Sequence, residues 1–286
     1  MASSCRSSRR GTTSCSFILI ILCFSFISSS QLLSQACHDV DRSALLGFKA
    51  QITSDSGNLR TWNASTDCCQ VQHIECDTTG RVVQLNIPGT PDMAAPDETS
   101  TFPLTGTLSP TLGNLSSLEF LKINNHYEGL VGPIPPELGN LQNLDCLHLG
   151  GNHLNGSIPS SLGNLVQLTS LYLFNNQLSG VLPSALQSLT KLTELYIERN
   201  QLTGEILPEI GNLRNLNSID LRYNNLQGSI PSSFVNLVNL YNFYVRGNRL
   251  SGEIPSALQS LTNLTSTDLS PDQLKGKIPL AIGQDA

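Results

Sequence analysis

One ten-letter phrase constrains this chain more than any other feature. LYLFNNQLSG, from Leu171 to Gly180, returns 24 residues later as LYIERNQLTG and 24 later again as IDLRYNNLQG. Aligned to itself at that period, the chain yields the template L-x-x-L-x-x-L-x-L-x-x-N-x-L-x-G-x-I-P-x-x-L-G-x. One copy runs through Leu141, Leu144, Leu147, Leu149, Asn152, Leu154, Gly156, Ile158, Pro159, Leu162 and Gly163. Further copies start at Leu165, Leu189, Leu213, Leu237 and Leu261. An earlier copy starts at Leu115 with two extra residues, and one earlier still spans about Val82 to Leu112 with an insertion after Ile87. Eight repeats result, so residues 82–286 read as one repeat domain with a loop insertion within 88–103.

Such a period dictates stacking. In x-L-x-L-x, the leucines of a short strand point to one face and the x residues to the other. One coil cannot bury its apolar face alone, so successive coils stack into a continuous core. Asn152, Asn176, Asn200, Asn224 and Asn248 then fall one above another. A buried Asn must fill its hydrogen bonds, and here it can bridge backbone groups where each coil turns. The recurring glycines at 156, 180, 204, 228 and 252 suit tight or positive-φ backbone. The Ile-Pro step marks a second, shorter extended segment.

The period and the L-x-G-x-I-P segment resemble the plant-type extracellular leucine-rich repeat proteins. The resemblance covers about Val82 to Gly283. It implies an α/β solenoid, a right-handed horseshoe with a parallel β-sheet on its concave side. The chain departs from the pattern at Leu207 in place of Pro, at Asp272 in place of the ladder Asn and at Thr267 in place of an inward Leu. The last two mark the final repeat as a fraying or partly capped end.

Residues 1–36 read as a cleaved signal peptide. Arg6, Arg9 and Arg10 form a positive start, Phe17–Ile27 an apolar run, and Ser34-Gln35-Ala36 a cleavage site. The apolar run has 11 residues, whereas a membrane span needs about 20. The mature chain would begin at Cys37 and be secreted to the extracellular space or cell wall. Without the leader, 13 basic residues face 22 acidic ones, a net of −9. That balance, with no basic cluster, argues against nucleic acid or anionic lipid as a partner. Asn63, Asn114, Asn155 and Asn263 each open an N-x-Ser/Thr triplet, as in a secreted glycoprotein.

Residues 37–81 read as a cap over the first coil. Cys37–Ile52 has the pattern of an amphipathic helix with Val40, Ala44, Phe48 and Ile52 inward. Spacing alone leaves three pairings open among Cys37, Cys68, Cys69 and Cys76. The stretch resembles the N-terminal cap of plant leucine-rich repeat proteins, with the double cysteine typical of polygalacturonase-inhibiting proteins and their relatives. That resemblance implies Cys37–Cys68 and Cys69–Cys76, although Val71 stands where the family usually has Trp. Cys146, on the concave side, is then expected as a half-covered thiol, with an intermolecular disulfide as the alternative.

The variable letters of the repeat carry the functional information. Parallel strands lie about 4.8 Å apart, so residues 24 apart become lateral neighbours. One concave column reads Lys122, His148, Tyr172, Tyr196, Asp220, Tyr244, Asp268; the next reads Asn124, Gly150, Phe174, Glu198, Arg222, Arg246, Ser270. On the other side stand Phe120, Cys146, Ser170, Glu194, Ser218, Asn242 and Ser266. Aromatics make up only 6% of the chain, yet Phe120, Tyr172, Phe174, Tyr196 and Tyr244 share this face. Aromatics beside Arg and acids suit a protein interface, and the same mix can stack on sugars; strand packing alone also favours Tyr and Phe. The expected ligand-binding residues are Phe120, Lys122, His148, Tyr172, Phe174, Tyr196, Glu198, Asp220, Arg222, Tyr244 and Arg246.

Enzyme motifs are absent: there is no G-x-S-x-G, H-E-x-x-H, phosphate-binding loop or kinase signature. The histidines at 38, 73, 126, 148 and 153 never fall in metal-ligand spacing, so neither a catalytic site, a cofactor nor a metal is expected. The partner expected is an extracellular protein, a peptide or a cell-wall polysaccharide. Resemblance to polygalacturonase-inhibiting proteins implies that a pathogen polygalacturonase binds the concave strands, in defence. The insertion within 88–103 resembles the DNA-damage-toleration-like repeat proteins. The alternative is the ectodomain of a receptor-like protein or receptor-like kinase, cut short, with a possible partner receptor. Ice binding is a minor alternative, disfavoured by irregular and charged concave columns.

Overall fold

The computed structural model describes residues 36–55, 57–89, 104–124, 129–269 and 273–276. The readings placed on the leader, on most of the insertion, on Ser270 and on Asp272 lie outside the described residues. The eight x-L-x-L-x segments form strands of one broad sheet. Ile74–Cys76 pairs antiparallel with Val82–Pro88, and every later neighbour is parallel. Phe120–Asn124, Cys146–His148, Ser170–Tyr172, Glu194–Tyr196, Ser218–Asp220, Asn242–Tyr244 and Ser266–Asp268 follow in chain order. Leu171 lies beside Leu195, Leu195 beside Ile219 and Ile219 beside Phe243, the register a 24-residue period demands. Val82–Pro88 pairs directly with Phe120–Asn124, so the insertion between them leaves the register untouched.

A second, narrower sheet runs along the opposite side. It contains Thr105–Thr107, Leu130–Pro133, His153–Ser157, Gln177–Val181 and Gln201–Thr203, all parallel, with Ile52–Ser54 of the cap antiparallel at its start. Gln227–Gly228, Arg249–Glu253 and Gln273–Lys275 carry it on. These are the L-x-G segments, and Gly180 shows why the glycine recurs: its φ of +79° is left-handed backbone that a side chain disfavours. Leucine and isoleucine side chains from both sheets fill the space between, most with no exposure at all.

Among the described residues, each of the first seven repeats turns back through a five-residue 3₁₀ helix, such as Ser160–Asn164 or Pro208–Asn212. The only α-helix among the described residues is Asp39–Lys49 in the cap. A proline at or next to the entry of these turns sets φ, and the run is too short for α-helix to outcompete the tighter turn. Glycine within this turn sets how closely coils approach. A Cβ on Gly163 would lie 2.4 Å from the Ala185 carbonyl oxygen of the next coil. Gln187 and Val235 occupy that position in later repeats, and there the adjoining turns pack less closely.

The asparagines form the ladder their spacing predicts. Asn200 accepts from the Leu178 amide of the coil before it at 2.9 Å, and its own amide donates to Leu173 O at 2.9 Å and Ile197 O at 3.1 Å. Asn152, Asn176, Asn224 and Asn248 repeat the same bonds. Each ladder residue therefore ties two coils, and all but the part-buried Asn248 do so with a buried side chain.

The cap departs from its predicted inner stripe. Val40 is 48% exposed and Ile52 belongs to the strand Ile52–Ser54, while Asp41, Ala44, Leu45 and Phe48 face inward. The stripe shifts because Asp41 is fully buried and held. Arg81 grips both of its oxygens at 2.9 Å, and the Val82 amide donates to it at 2.8 Å. Trp62 is buried against Phe48, and Lys49 donates to the Trp62 carbonyl at 2.6 Å. The disulfides Cys37–Cys68 and Cys69–Cys76 close the cap, as the family resemblance implied. Cys146 is 2% exposed, more covered than the half-covered thiol expected.

Candidate ligand-binding face

The register brings the predicted columns together. Asn86, Lys122, His148, Tyr172, Tyr196, Asp220, Tyr244 and Asp268 stand side by side across eight strands of the broad sheet. The column of Phe120, Ser170, Glu194, Ser218, Asn242 and Ser266 flanks it in the same register. Phe174, Glu198, Arg222 and Arg246 follow just beyond the strand ends, where backbone bonds such as Gly151 N to Phe174 O (2.9 Å) continue the pairing.

The aromatics are less open than their place on the concave side suggested. Tyr172 is fully buried and His148 is 6% exposed, while Phe120, Phe174, Tyr196 and Tyr244 are half-buried. The cause is mutual packing at strand spacing. His148 lies 4.9 Å from Tyr172 and 5.4 Å from Phe174, and Tyr172 lies 5.2 Å from Tyr196. Each tyrosine hydroxyl then leans across to the flanking column of the next coil. Tyr172 donates to the Glu194 carboxylate, Tyr196 to Ser218 Oγ at 2.9 Å and Tyr244 to Ser266 Oγ at 2.8 Å. Sequence reading placed Glu194, Ser218 and Ser266 on this face without a role. Their separation of 22 residues from each tyrosine was the available signal.

Charge is concentrated toward the later coils. Arg222 clamps Asp220 through Nη2 at 2.5 Å and Nε at 3.0 Å, and its guanidinium lies 4.8 Å over the Tyr244 ring. The hydrogen bonds to Asp220 hold the arginine above its ordinary pKa. Arg246, half-exposed, lies 3.8 Å from Asp268. Glu198 sits beside this pair with Oε2 enclosed and without a partner. Burial, reinforced by the Asp220 charge, pushes its carboxyl up to about 7. At the other end, burial next to the Lys122 charge holds His148 down at about 3. Burial also raises the Tyr196 phenol to about 12.

The flank of the solenoid holds a feature that sequence reading missed. Asn175, Arg199 and Tyr223, each just before a ladder asparagine, have positive φ of 49°, 55° and 54°. The same position is Gly151 and Gly247 in neighbouring coils, which was the available sign. Arg199 stacks 4.7 Å over the Tyr223 ring there. In the cap, Cys37, Asp67, Cys68 and Cys69 cluster tightly enough to suggest a metal. The sulfurs are spent in disulfides, and Asp67 Oδ1 accepts from the amides of Cys37 and Cys69 at 2.9 and 3.0 Å, so the group is a staple.

Comparison with known proteins agrees with this architecture. Residues 38–77 match the leucine rich repeat N-terminal domain family, and residues 142–202, 215–237 and 239–261 match leucine rich repeat families. The chain belongs to the leucine-rich repeat proteins. The matched families describe cap and repeat units, not catalytic domains. Over 100 residues, 34% of this chain, it is 35% identical to the receptor-like protein EIX2 of Solanum lycopersicum. Over 104 residues, 36% of this chain, it is 32% identical to polygalacturonase inhibitor 1 of Oryza sativa subsp. japonica. The chain spans a tenth of the first relative and about a third of the second, at 10% and 31%. Among solved structures, the PEPR1–AtPEP1 complex superimposes with a TM-score of 0.74 at 32% identity, over 83% of this chain and 32% of that one. A plant ice-binding protein superimposes with a TM-score of 0.63 at 29% identity, over 86% of this chain and 90% of that one.

Proposed function

We propose that this chain is a secreted, non-catalytic recognition protein that binds a protein ligand on its concave sheet, in the manner of the polygalacturonase inhibitors it resembles. The observation that carries this reading is the cluster of Tyr196, Arg222, Tyr244 and Arg246 on adjacent coils. Tyrosine and arginine supply much of the binding energy at protein interfaces, because they offer large rigid contact area and directed hydrogen bonds. Here they are preorganised: Arg222 is fixed by Asp220, and both tyrosine hydroxyls are anchored. The exposed positions of Asn63, Asn114, Asn155 and Asn263 suit glycan attachment in the secretory pathway. No helix among the described residues is long and apolar enough to cross a membrane.

The test is inhibition of a fungal endopolygalacturonase by the secreted protein. Tyr244→Ala and Arg246→Ala should each weaken inhibition about tenfold or more, as interface anchors do, and Arg246→Ala, at an exposed side chain, should leave thermal unfolding unchanged. Arg222→Ala is the wrong probe, because it would strand the buried Asp220 carboxylate. No inhibition, or inhibition indifferent to both variants, would sink the proposal. A second reading, favoured by the superposition on PEPR1 bound to AtPEP1, is peptide sensing as part of a receptor. A native species in tissue extract that is far larger than this chain and membrane-bound would decide for it. The likeness to an ice-binding protein is not carried over, because the broad sheet presents Tyr, Arg, Asp and Glu in irregular columns.

A further inference from the structure

The concave face carries an unmet hydrogen-bonding demand at its N-terminal end. Asn86 pairs in register with Lys122 and Lys122 with His148, so the three are lateral neighbours in one column. Asn124 lies two residues beyond Lys122 and points to the same side of the sheet. Asn124 and His148 are each 6% exposed. Yet Asn86 Oδ1, Asn124 Oδ1 and His148 Nε2 are enclosed with no hydrogen-bond partner. Among the described residues no ion pair involves Lys122. The ladder asparagines, by contrast, fill both ends of their amides, so this cluster is not part of the scaffold. Buried polar atoms left without partners call for a ligand or ordered solvent.

The missing partners are chiefly donors, since two of the three vacant atoms are amide oxygens and neutral His148 leaves one ring nitrogen as an acceptor. An aromatic surface adjoins them. Phe174 is half-buried, 5.4 Å from His148, and leans over Gly150, where a Cβ would come within 2.7 Å of the ring. A ligand reaches the enclosed atoms only if the ring turns about χ1, and Gly150 places no side chain beneath it to oppose that turn.

We propose that Asn86, Lys122, Asn124, His148 and Phe174 form a subsite for a neutral oligosaccharide. Sugar hydroxyls donate to the asparagine oxygens and accept from the Lys122 ammonium, while the C–H face of the pyranose lies on Phe174. A polyuronate fits less well. Its carboxylates bring no protons to vacant acceptors, and Glu194, Glu198 and Asp220 share the face of a chain with net charge −6. A peptide offers one backbone N–H per residue, too sparse for three clustered acceptors. The inference extends the recognition reading to a second ligand class at the other end of the same concave sheet, and it rests on that sheet being a binding face.

Calorimetric titration of the full secreted chain with cellohexaose, laminarihexaose and an oligogalacturonide tests it. Binding of a neutral hexasaccharide is expected, weakened about tenfold by Phe174→Ala through loss of the aromatic face and retained in Phe174→Tyr. Lys122→Gln should weaken neutral-sugar binding less than Phe174→Ala does, because the glutamine amide still donates to a sugar hydroxyl. Asn124→Ala should weaken it, and an unchanged melting temperature would separate that loss from unfolding. Absence of binding to both neutral sugars overturns the proposal. So does oligogalacturonide-only binding lost in Lys122→Gln, or sugar binding indifferent to Phe174→Ala. If polygalacturonase inhibition persists without saccharide binding, the subsite falls and the protein-recognition reading stands.

Discussion

The cap and the repeats solve the same problem by opposite means. Each must hold irregular or short backbone segments against the end or side of an apolar core. The repeats use one device many times: an asparagine whose amide bonds two coils, set above leucines that are fully buried. The cap uses several devices once each: two disulfides, a buried Asp41–Arg81 pair and a tryptophan wedged on Phe48. The difference teaches where stability is concentrated. A repeated device spreads its contribution over many equivalent sites, so one loss is local. A unique device has no substitute.

The largest expected effect therefore lies in the cap. Asp41→Ala leaves the Arg81 guanidinium and the Val82 amide without their carboxylate, and breaking a buried pair in this way costs about 3–5 kcal/mol. Chemical denaturation would show it. The joint replacement Asp41→Leu with Arg81→Met should recover the part of the loss that comes from the unpaired charge, leaving the cost of the unsatisfied Val82 amide. If Asp41→Ala is neutral, the cap does not depend on the pair. Next comes the ladder. Asn200→Ala strands the Leu178 amide and weakens two carbonyl contacts, which should cost about 1–3 kcal/mol. Hydrogen exchange should rise at Leu178 and its neighbouring coil only. A loss as large as that of Asp41→Ala would erase the contrast between cap and repeats.

What the sequence made legible divides along the same line. A 24-residue period prints its register directly, so the leucine core, the ladder and the concave columns were readable from letters alone. The cap has no period. Its helix pattern admitted Val40 and Ile52 as inward residues, because nothing local shows that Asp41 meets Arg81 across 40 residues of chain. The disulfide pairing likewise came from family resemblance and not from spacing. On the concave face, the columns were visible but the degree of exposure was not. Tyr172 is fully buried because His148 and Tyr196 flank it on both sides, which depends on rotamers rather than on order in the chain. The strained position held by Arg199 and Tyr223 was hidden for a related reason. Only glycines at the equivalent place in other coils betray it.

The smallest net effect in the wild-type chain comes from pH, which separates the two ends of the concave face. His148 is held at about 3 against an ordinary value of 6.5. The unfolded chain therefore takes up a proton below pH 6.5 that the folded one refuses, and stability falls as pH drops from there toward 3. Glu198 is raised to about 7 against 4.5. The folded chain keeps a proton there that the unfolded one has lost, so its contribution is full below pH 4.5 and disappears as pH rises through 7. Each limb is at most about 1.4 kcal/mol per pH unit. Between pH 4.5 and 6.5 the two slopes oppose each other and the wild-type profile should be nearly flat. Single substitutions unmask the partner. His148→Gln should leave a melting temperature that declines steadily as pH rises from 4.5 to 7, and Glu198→Gln one that climbs from 3 to 6.5. Profiles that keep the wild-type shape in both variants would mean that neither group is desolvated as its surroundings indicate. The two ends of the face would then be electrostatically alike.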